Sequence, residues 1–223
     1  MFETRACLVG ATGMIGTVTM ARASGRDDVA LAAVTRREVP YPPGARVELL
    51  VGPTTRWAGL IATARAEVLA CALGTTRAKV GTPEAFRAID RDLVLACGEA
   101  ARAAGIGRMI VVSAVGANAA SRHLYLRTKG EMEQGLSRLG FARLDILRPA
   151  QLLGQRAERR PLERVAQISM RGMDLFLRGW LRRYHSICAR DVADAILNLA
   201  GRSEPGQFVH EYAAILGAAR GSA

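Results

Sequence analysis

Apolar residues in this chain fall into short continuous runs that alternate with longer stretches of helical spacing. The runs Thr4 to Val9, Val29 to Val34, Val47 to Val51, Val68 to Leu73 and Met109 to Ser113 are bounded by turn residues, the pattern of strands buried on both faces. Met109 to Ser113 is the most hydrophobic of them and is expected at the middle of a parallel sheet. Between the runs, Thr17 to Ala23, Thr54 to Arg65 and Pro83 to Ala104 read as helices. In the last, Phe86, Ile89, Leu93, Val94 and Cys97 recur on one face, Pro83 suits the first turn and Gly105 stops the helix. A helix continues from Tyr125 to Leu139, another opens at Arg190 to Ile196 with Asp191 near its positive end, and Gln207 to His210 reads as a last edge strand. Pro161 to Leu181 predicts an amphipathic helix. Val165, Ile168, Phe176 and Trp180 face inward, while Arg164, Arg171 and Arg178 form a basic face read as solvated, with an acidic substrate, an anionic membrane surface or a partner protein as alternatives.

The first strand leads into Gly10-Ala11-Thr12-Gly13-Met14-Ile15-Gly16. A strand that turns on glycines into a helix offers unpaired backbone amides and a positive dipole end to an anion. Gly10, Thr12, Gly13, Met14, Ile15 and Gly16 are therefore the candidate cradle for a dinucleotide pyrophosphate, with Gly16 allowing helix and strand to pack closely. With the strand–helix alternation, this turn predicts an α/β chain, a Rossmann-like doubly wound parallel sheet. It is expected as a single domain, with a cofactor-binding core over 1–154 and a short C-terminal helical extension over 155–223 that packs on it or serves the substrate. The second strand ends at Arg36 and Arg37, where an acidic residue would receive the ribose of NAD. Arg36 offers a planar fork suited to a 2′-phosphate, so NADP(H) is expected ahead of NAD(H); two solvated arginines are the plainer alternative. Leu73, Gly74 and Thr75 follow the fourth strand, at an end that faces the ligand crevice in open α/β sheets. There Gly74 either simply ends the strand or lays its backbone against the dinucleotide.

Composition narrows the function classes. The chain has 223 residues, half of them hydrophobic, which suits one globular domain. Its net charge of +11 invites nucleic acid, yet the basic residues are scattered and aromatics make up only 5%, so neither a basic tail nor a stacking platform is visible. No apolar run is long enough to span a bilayer and no secretory signal is seen, so a cytoplasmic protein outside the membrane is expected. Cys7, Cys71, Cys97 and Cys188 stand singly in apolar stretches, as reduced core thiols. His185 and His210 lack ligand-like spacing, so no metal is expected, and His123 is a candidate lining residue of the cleft. Only Lys79 and Lys129 are lysines, against 29 arginines, which singles each of them out.

Tyr125 and Lys129 stand at i and i+4, on one helical face. A tyrosine that exchanges a proton with a carbonyl or alcohol is a poor base at its ordinary pKa, and a nearby ammonium is expected to lower that pKa. Ser113, at the end of the central strand, is a candidate to position the substrate oxygen or, alternatively, a structural strand-end hydroxyl. The glycine turn, the strand ending in Ser113 and the Tyr125-x-x-x-Lys129 helix together resemble the short-chain dehydrogenase/reductase superfamily. Leu73-Gly74-Thr75-Thr76, Ser113 to Ala117, Tyr125 to Glu131 and Leu147-Arg148-Pro149 resemble its atypical subgroup around the Tat-interacting oxidoreductase-like proteins, over about residues 4–154. The resemblance implies NADP(H), catalytic roles for Tyr125 and Lys129, and Pro149 to Leu152 lying along the nicotinamide. The chain departs from it at Ala114, where relatives usually carry a second Ser or Thr. The expected function is reduction, or reversible oxidation, of a small carbonyl or alcohol substrate. An NADP(H) sensor with little turnover and an isomerase or epimerase are the rivals, and the amphipathic helices allow a homodimer.

Overall fold

The computed structural model describes residues 4–40, 47–75, 80–153 and 183–221. Seven parallel strands form one sheet in the order β3-β2-β1-β4-β5-β6-β9. They are β1 (Thr4–Val9), β2 (Val29–Thr35), β3 (Val47–Val51), β4 (Val68–Cys71), β5 (Arg108–Val112), β6 (Arg143–Leu147) and β9 (Gly206–His210). The order reverses direction between β1 and β4, and that switch point leaves a crevice at the carboxyl ends of the strands. The doubly wound α/β fold is as expected, with β5 inside the sheet and β9 at its edge.

Side chains along β1 alternate between two cores. Ala6 and Leu8 pack with α1 (Met14–Ala23), α6 (Ala189–Ala200) and α7 (Tyr212–Ala219), through Ile15, Met20, Val192, Ile196 and Ile215. Cys7 and Val9 point to the other face, toward α2 (Trp57–Thr63), α4 (Leu93–Ala103) and α5 (Leu124–Ser137), through Trp57, Ile61, Val94, Met132 and Leu136. Strands β1, β2, β4 and β5 are covered on both faces, which is why their sequences are mostly apolar.

Several elements differ from the sequence reading. The long helix expected from Pro83 is divided into α3 (Pro83–Arg87), a π-helical turn at Ala88–Asp92, and α4. Asp90 rather than Ile89 lies on the buried stripe, four residues from Phe86 and four from Val94, and Ile89 is half-buried. Two elements were not anticipated: α7 and a small two-stranded ladder of β7 (Leu152–Leu153) and β8 (Ile187–Cys188). Cys7, Cys71 and Cys97 are core thiols; burial pushes the first two up to about 12 and about 11, and Cys97 up as well, so they stay protonated. Cys188 is exposed, which corrects its assignment to the core, because it ends the short β8 at the surface. The expected basic helix over 161–181 lies outside the described residues.

Two glycines fix the placement of the helices that matter most. A Cβ on Gly16 would overlap the Gly10 carbonyl oxygen, and one on Gly130 would overlap the backbone at Asn118 and Ala119, holding α5 against the loop after β5. Gly130→Ala is therefore expected to cost about 2 kcal/mol and to lower the melting midpoint by about 5 °C. Gly59→Ala, in a helix with nothing within 4 Å of the new methyl, should leave the midpoint unchanged or higher. Equal effects of the two changes in thermal denaturation would contradict this packing.

Candidate functional site

Strand register brings the sequence-predicted residues to one edge of the sheet. Val9 pairs with Val34 on one side and Cys71 on the other, so Gly10 emerges between Arg36 and the Ala72–Thr75 segment. Cys71 pairs with Val111 and Val112 with Leu147, so Ser113, Arg148 and Pro149 emerge in the same row. The Pro149 carbonyl accepts from the Val115 amide at 3.0 Å, and Leu152 begins β7 just beyond.

Gly10 has φ +89°, and a side chain there would meet the Ala72 carbonyl carbon at 2.6 Å and the Leu73 amide nitrogen at 2.7 Å. Only glycine allows the two strand ends to approach so closely. The chain then enters α1 at Gly13 without a side-chain cap and without an acidic residue in the first turn. Thr12 and Gly13 are exposed, Met14 is half-buried, and Ile15 and Gly16 are buried under the turn. An anion can reach the open amides and dipole end, and a pyrophosphate fits this bare cradle. Arg36 and Arg37 are exposed, and the Thr35 hydroxyl donates to the Arg37 carbonyl at 2.8 Å, shaping the end of β2. Neither arginine forms an ion pair with another described residue, so both forks are open to a phosphate.

The Tyr125–Lys129 face of α5 carries two different environments. Tyr125 is 46% exposed, with its ring 5.9 Å from that of Phe86. Lys129 is buried at 3%, its ammonium 2.9 Å from Asp90 Oδ1 and 3.5 Å from the Val112 carbonyl. The Asp90 contact is ionic and lies outside hydrogen-bond geometry for Oδ1. Asp90 Oδ2 accepts from the Thr75 amide at 2.8 Å, and Gly74 packs beside the carboxylate. The π-helical turn thus ties the end of β4 to Lys129. Breaking one side of such a buried pair leaves an uncompensated charge, a loss of about 3–5 kcal/mol.

The phenol of Tyr125 is raised above its ordinary value, and this corrects the expected lowering. Burial of the hydroxyl is the largest cause; Lys129 lowers the value, and Asp90 opposes Lys129 by raising it. Ser113 is buried, and its hydroxyl donates to Glu133 of α5, which Arg148 also holds, with Nε at 3.0 Å. Its proton is thus committed to a clamp between the ends of β5 and β6, the structural alternative for this residue. His123 is exposed just before α5, and His210 bonds Asp145 at 2.8 Å, beside an Arg143–Asp145 pair. No group of three or more His, Cys, Asp or Glu among the described residues could hold a metal ion, and no described helix could cross a membrane.

Asp90 and Glu133 were missed by the sequence reading, and both had a signal. Asp90 stands four residues after Phe86 and four before Val94, all three buried, and Glu133 stands four after Lys129 on the buried face of α5. Acidic residues on an apolar stripe mark partners for a buried cation.

The reversal of strand order, the bare glycine turn and the uncapped helix define a dinucleotide-binding α/β protein. Residues 10–202 match the family described as NAD(P)H-binding, and the chain belongs to that family. Similar curated proteins include the mitochondrial protein fmp52 of Emericella nidulans, 36% identical over 80% of this chain and 76% of its own. Mitochondrial FMP52 of Candida albicans is 32% identical over 90% of each chain. These names overturn the expectation of a cytoplasmic protein, which rested on the absence of a spanning run and of a secretory signal. Among solved structures, a UDP-Glc/GlcNAc 4-epimerase from Campylobacter jejuni gives TM-score 0.70 at 13% identity, covering 96% of this chain and 82% of that one. The Bordetella bronchiseptica enzyme WbmH in complex with NAD+ gives 0.69 at 13% identity, covering 94% and 76%. At such identity these likenesses show the shared fold.

A tyrosinate absorbance titration, wild type minus Tyr125→Phe, is expected to show a midpoint above the ordinary value of about 10. Because the folded state favours the phenol, this group's contribution to stability is present below about pH 10 and is lost as pH rises through the folded midpoint. A midpoint below 10 would mean that Lys129 outweighs burial.

Proposed function

We propose that the chain is an NADP(H)-dependent oxidoreductase that reduces a small carbonyl substrate, or oxidises the matching alcohol, by the Tyr–Lys chemistry of short-chain dehydrogenases and their atypical, Tat-interacting-like branch. The observation that carries this reading is Lys129, a buried ammonium at the carboxyl end of β5, one helical turn from the half-exposed Tyr125. The glycine turn holds the pyrophosphate on the α1 amides, and the open Arg36 fork takes the 2′-phosphate, with Arg37 beside it. Leu73, Gly74 and Thr75 line the dinucleotide from the β4 side, and Pro149 and Leu152 from the β6 side. A bound dihydronicotinamide supplies the hydride.

Tyr125 gives its phenolic proton to the carbonyl oxygen as that oxygen gains negative charge, and a proton from water restores it. Lys129 keeps a positive charge beside the developing phenolate and turns its free N–H bonds to the ribose. In the oxidation direction Tyr125 accepts the alcohol proton instead. The reading extends the mitochondrial compartment of the named relatives to this chain.

One observation favours a second reading, an NADP(H) sensor with little turnover. With the Ser113 hydroxyl committed to Glu133 and Ala114 next to it, neither residue gives a second hydroxyl to the substrate oxygen. Tyr125→Phe separates the two readings in an assay of NADPH oxidation against a panel of aldehydes and ketones. The oxidoreductase reading expects turnover in the wild type and a loss of at least about 100-fold in the variant, with NADPH affinity within about twofold. Unchanged turnover removes Tyr125 from the chemistry, and a wild type that binds cofactor but turns nothing over is the sensor.

A further inference from the structure

Asp90, beside Lys129, is a buried charged group that the proton chemistry above leaves without a task. It is 1% exposed, sits on a π-helical turn, and contacts the Thr75 amide through one oxygen and the Lys129 ammonium through the other. A π-helical turn costs regular hydrogen bonding, and such turns are frequent at functional sites. Here the turn packs under α5 and holds the carboxylate against Lys129. Without that carboxylate, Lys129 would be a lone buried cation.

We propose that Asp90 is a positioning residue that neutralises Lys129 and thereby keeps Tyr125 a proton donor, biasing the site toward carbonyl reduction over alcohol oxidation. The charged groups acting on the phenol are Lys129 from α5 and Asp90 from the π-helical turn, and they act in opposite senses. An isolated ammonium one turn away would stabilise the phenolate, the form that abstracts a proton from an alcohol. A neutral ion pair stabilises it less and so adds to burial, the larger cause, in holding the site as a phenol, the form that gives a proton to a carbonyl. In that step the carbonyl carbon is reduced by the hydride while the nicotinamide is oxidised. The proton leaving Tyr125 forms the new O–H bond, and water restores it. The same carboxylate holds the Thr75 amide, so the Leu73–Thr75 segment and the lysine are set by one group. The directional bias rests on the oxidoreductase reading; the effect of Asp90 on Tyr125 does not.

Four proteins test it by tyrosinate absorbance without cofactor or substrate, each read against its own Tyr125→Phe version: wild type, Asp90→Asn, Lys129→Met and the double variant. Asparagine keeps an acceptor for the Thr75 amide but removes the charge. Asp90→Asn is expected to bring the Tyr125 midpoint down, with a matching gain in phenolate at fixed pH. The double variant, again without net charge, should return close to the wild type, a result that a purely structural role for Asp90 does not give. Where Asp90→Asn alone fails to fold, Lys129→Met against the double variant reads the same carboxylate, and Lys129→Met should titrate higher. Equal midpoints in both comparisons overturn the proposal. With a substrate in hand, the acid limb of the alcohol-oxidation pH profile should move down with the absorbance midpoint. A protein that turns nothing over, yet shows the absorbance shift, refutes the oxidoreductase reading and keeps the role of Asp90.

Discussion

The site depends on one close approach of backbone to backbone, where Gly10 leaves β1 against Ala72 leaving β4. These two strands are neighbours because the sheet reverses its order between them, and the crevice exists only if no side chain fills it. A residue with a Cβ at Gly10 would face a strained φ and a carbonyl carbon at 2.6 Å together. With glycine there, α1 begins directly over the strand ends, and its first amides face outward without a cap. The surrounding parts follow from parallel register: one strand end brings Arg36, another Thr75, and the next pair Ser113 and Pro149.

Two buried charge clusters then divide the work of holding that edge together. Lys129 and Asp90 join α5 to the end of β4, while Glu133 and Arg148 join α5 to the end of β6, with Ser113 between them. Both clusters hang from the same face of α5, four residues apart. Neither is a source of great net stability, since removing charges from water offsets most of their attraction. What they confer is placement. A lysine held within 3 Å of a carboxylate has few rotamers left, and the tyrosine one turn before it inherits a defined electrostatic surrounding.

Much of the fold and half of the site could be read from residue order, because their causes are local. Short apolar runs bounded by turns mark double-covered strands, and the glycine triplet marks a turn that needs positive φ and close contact. Tyr125 and Lys129 share a face by helical spacing alone. The parts that escaped depend on contacts between distant segments. Asp90 stands on the apolar stripe, but its spacing does not contain its partner, Lys129, which another helix brings to it. The sign of the Tyr125 shift follows from burial and from Asp90, neither of which the Tyr-x-x-x-Lys spacing contains. Ser113 lies at the expected strand end, yet its hydroxyl is claimed by a glutamate 20 residues away. The cytoplasmic expectation failed for a different reason: the lack of a spanning run and of a secretory signal does not decide a compartment, and the curated relatives are named mitochondrial.

The most direct test is a fluorescence titration of the purified protein with NADPH and with NADH, repeated on Arg36→Ala. Micromolar binding with NADPH preferred is expected, with that preference lost in the variant, because the proposed contact of the arginine fork with the 2′-phosphate has no counterpart in NADH. Binding of neither nucleotide would contradict it, reducing the glycine turn to a packing device and removing the ground for the chemistry assigned to Tyr125 and Lys129.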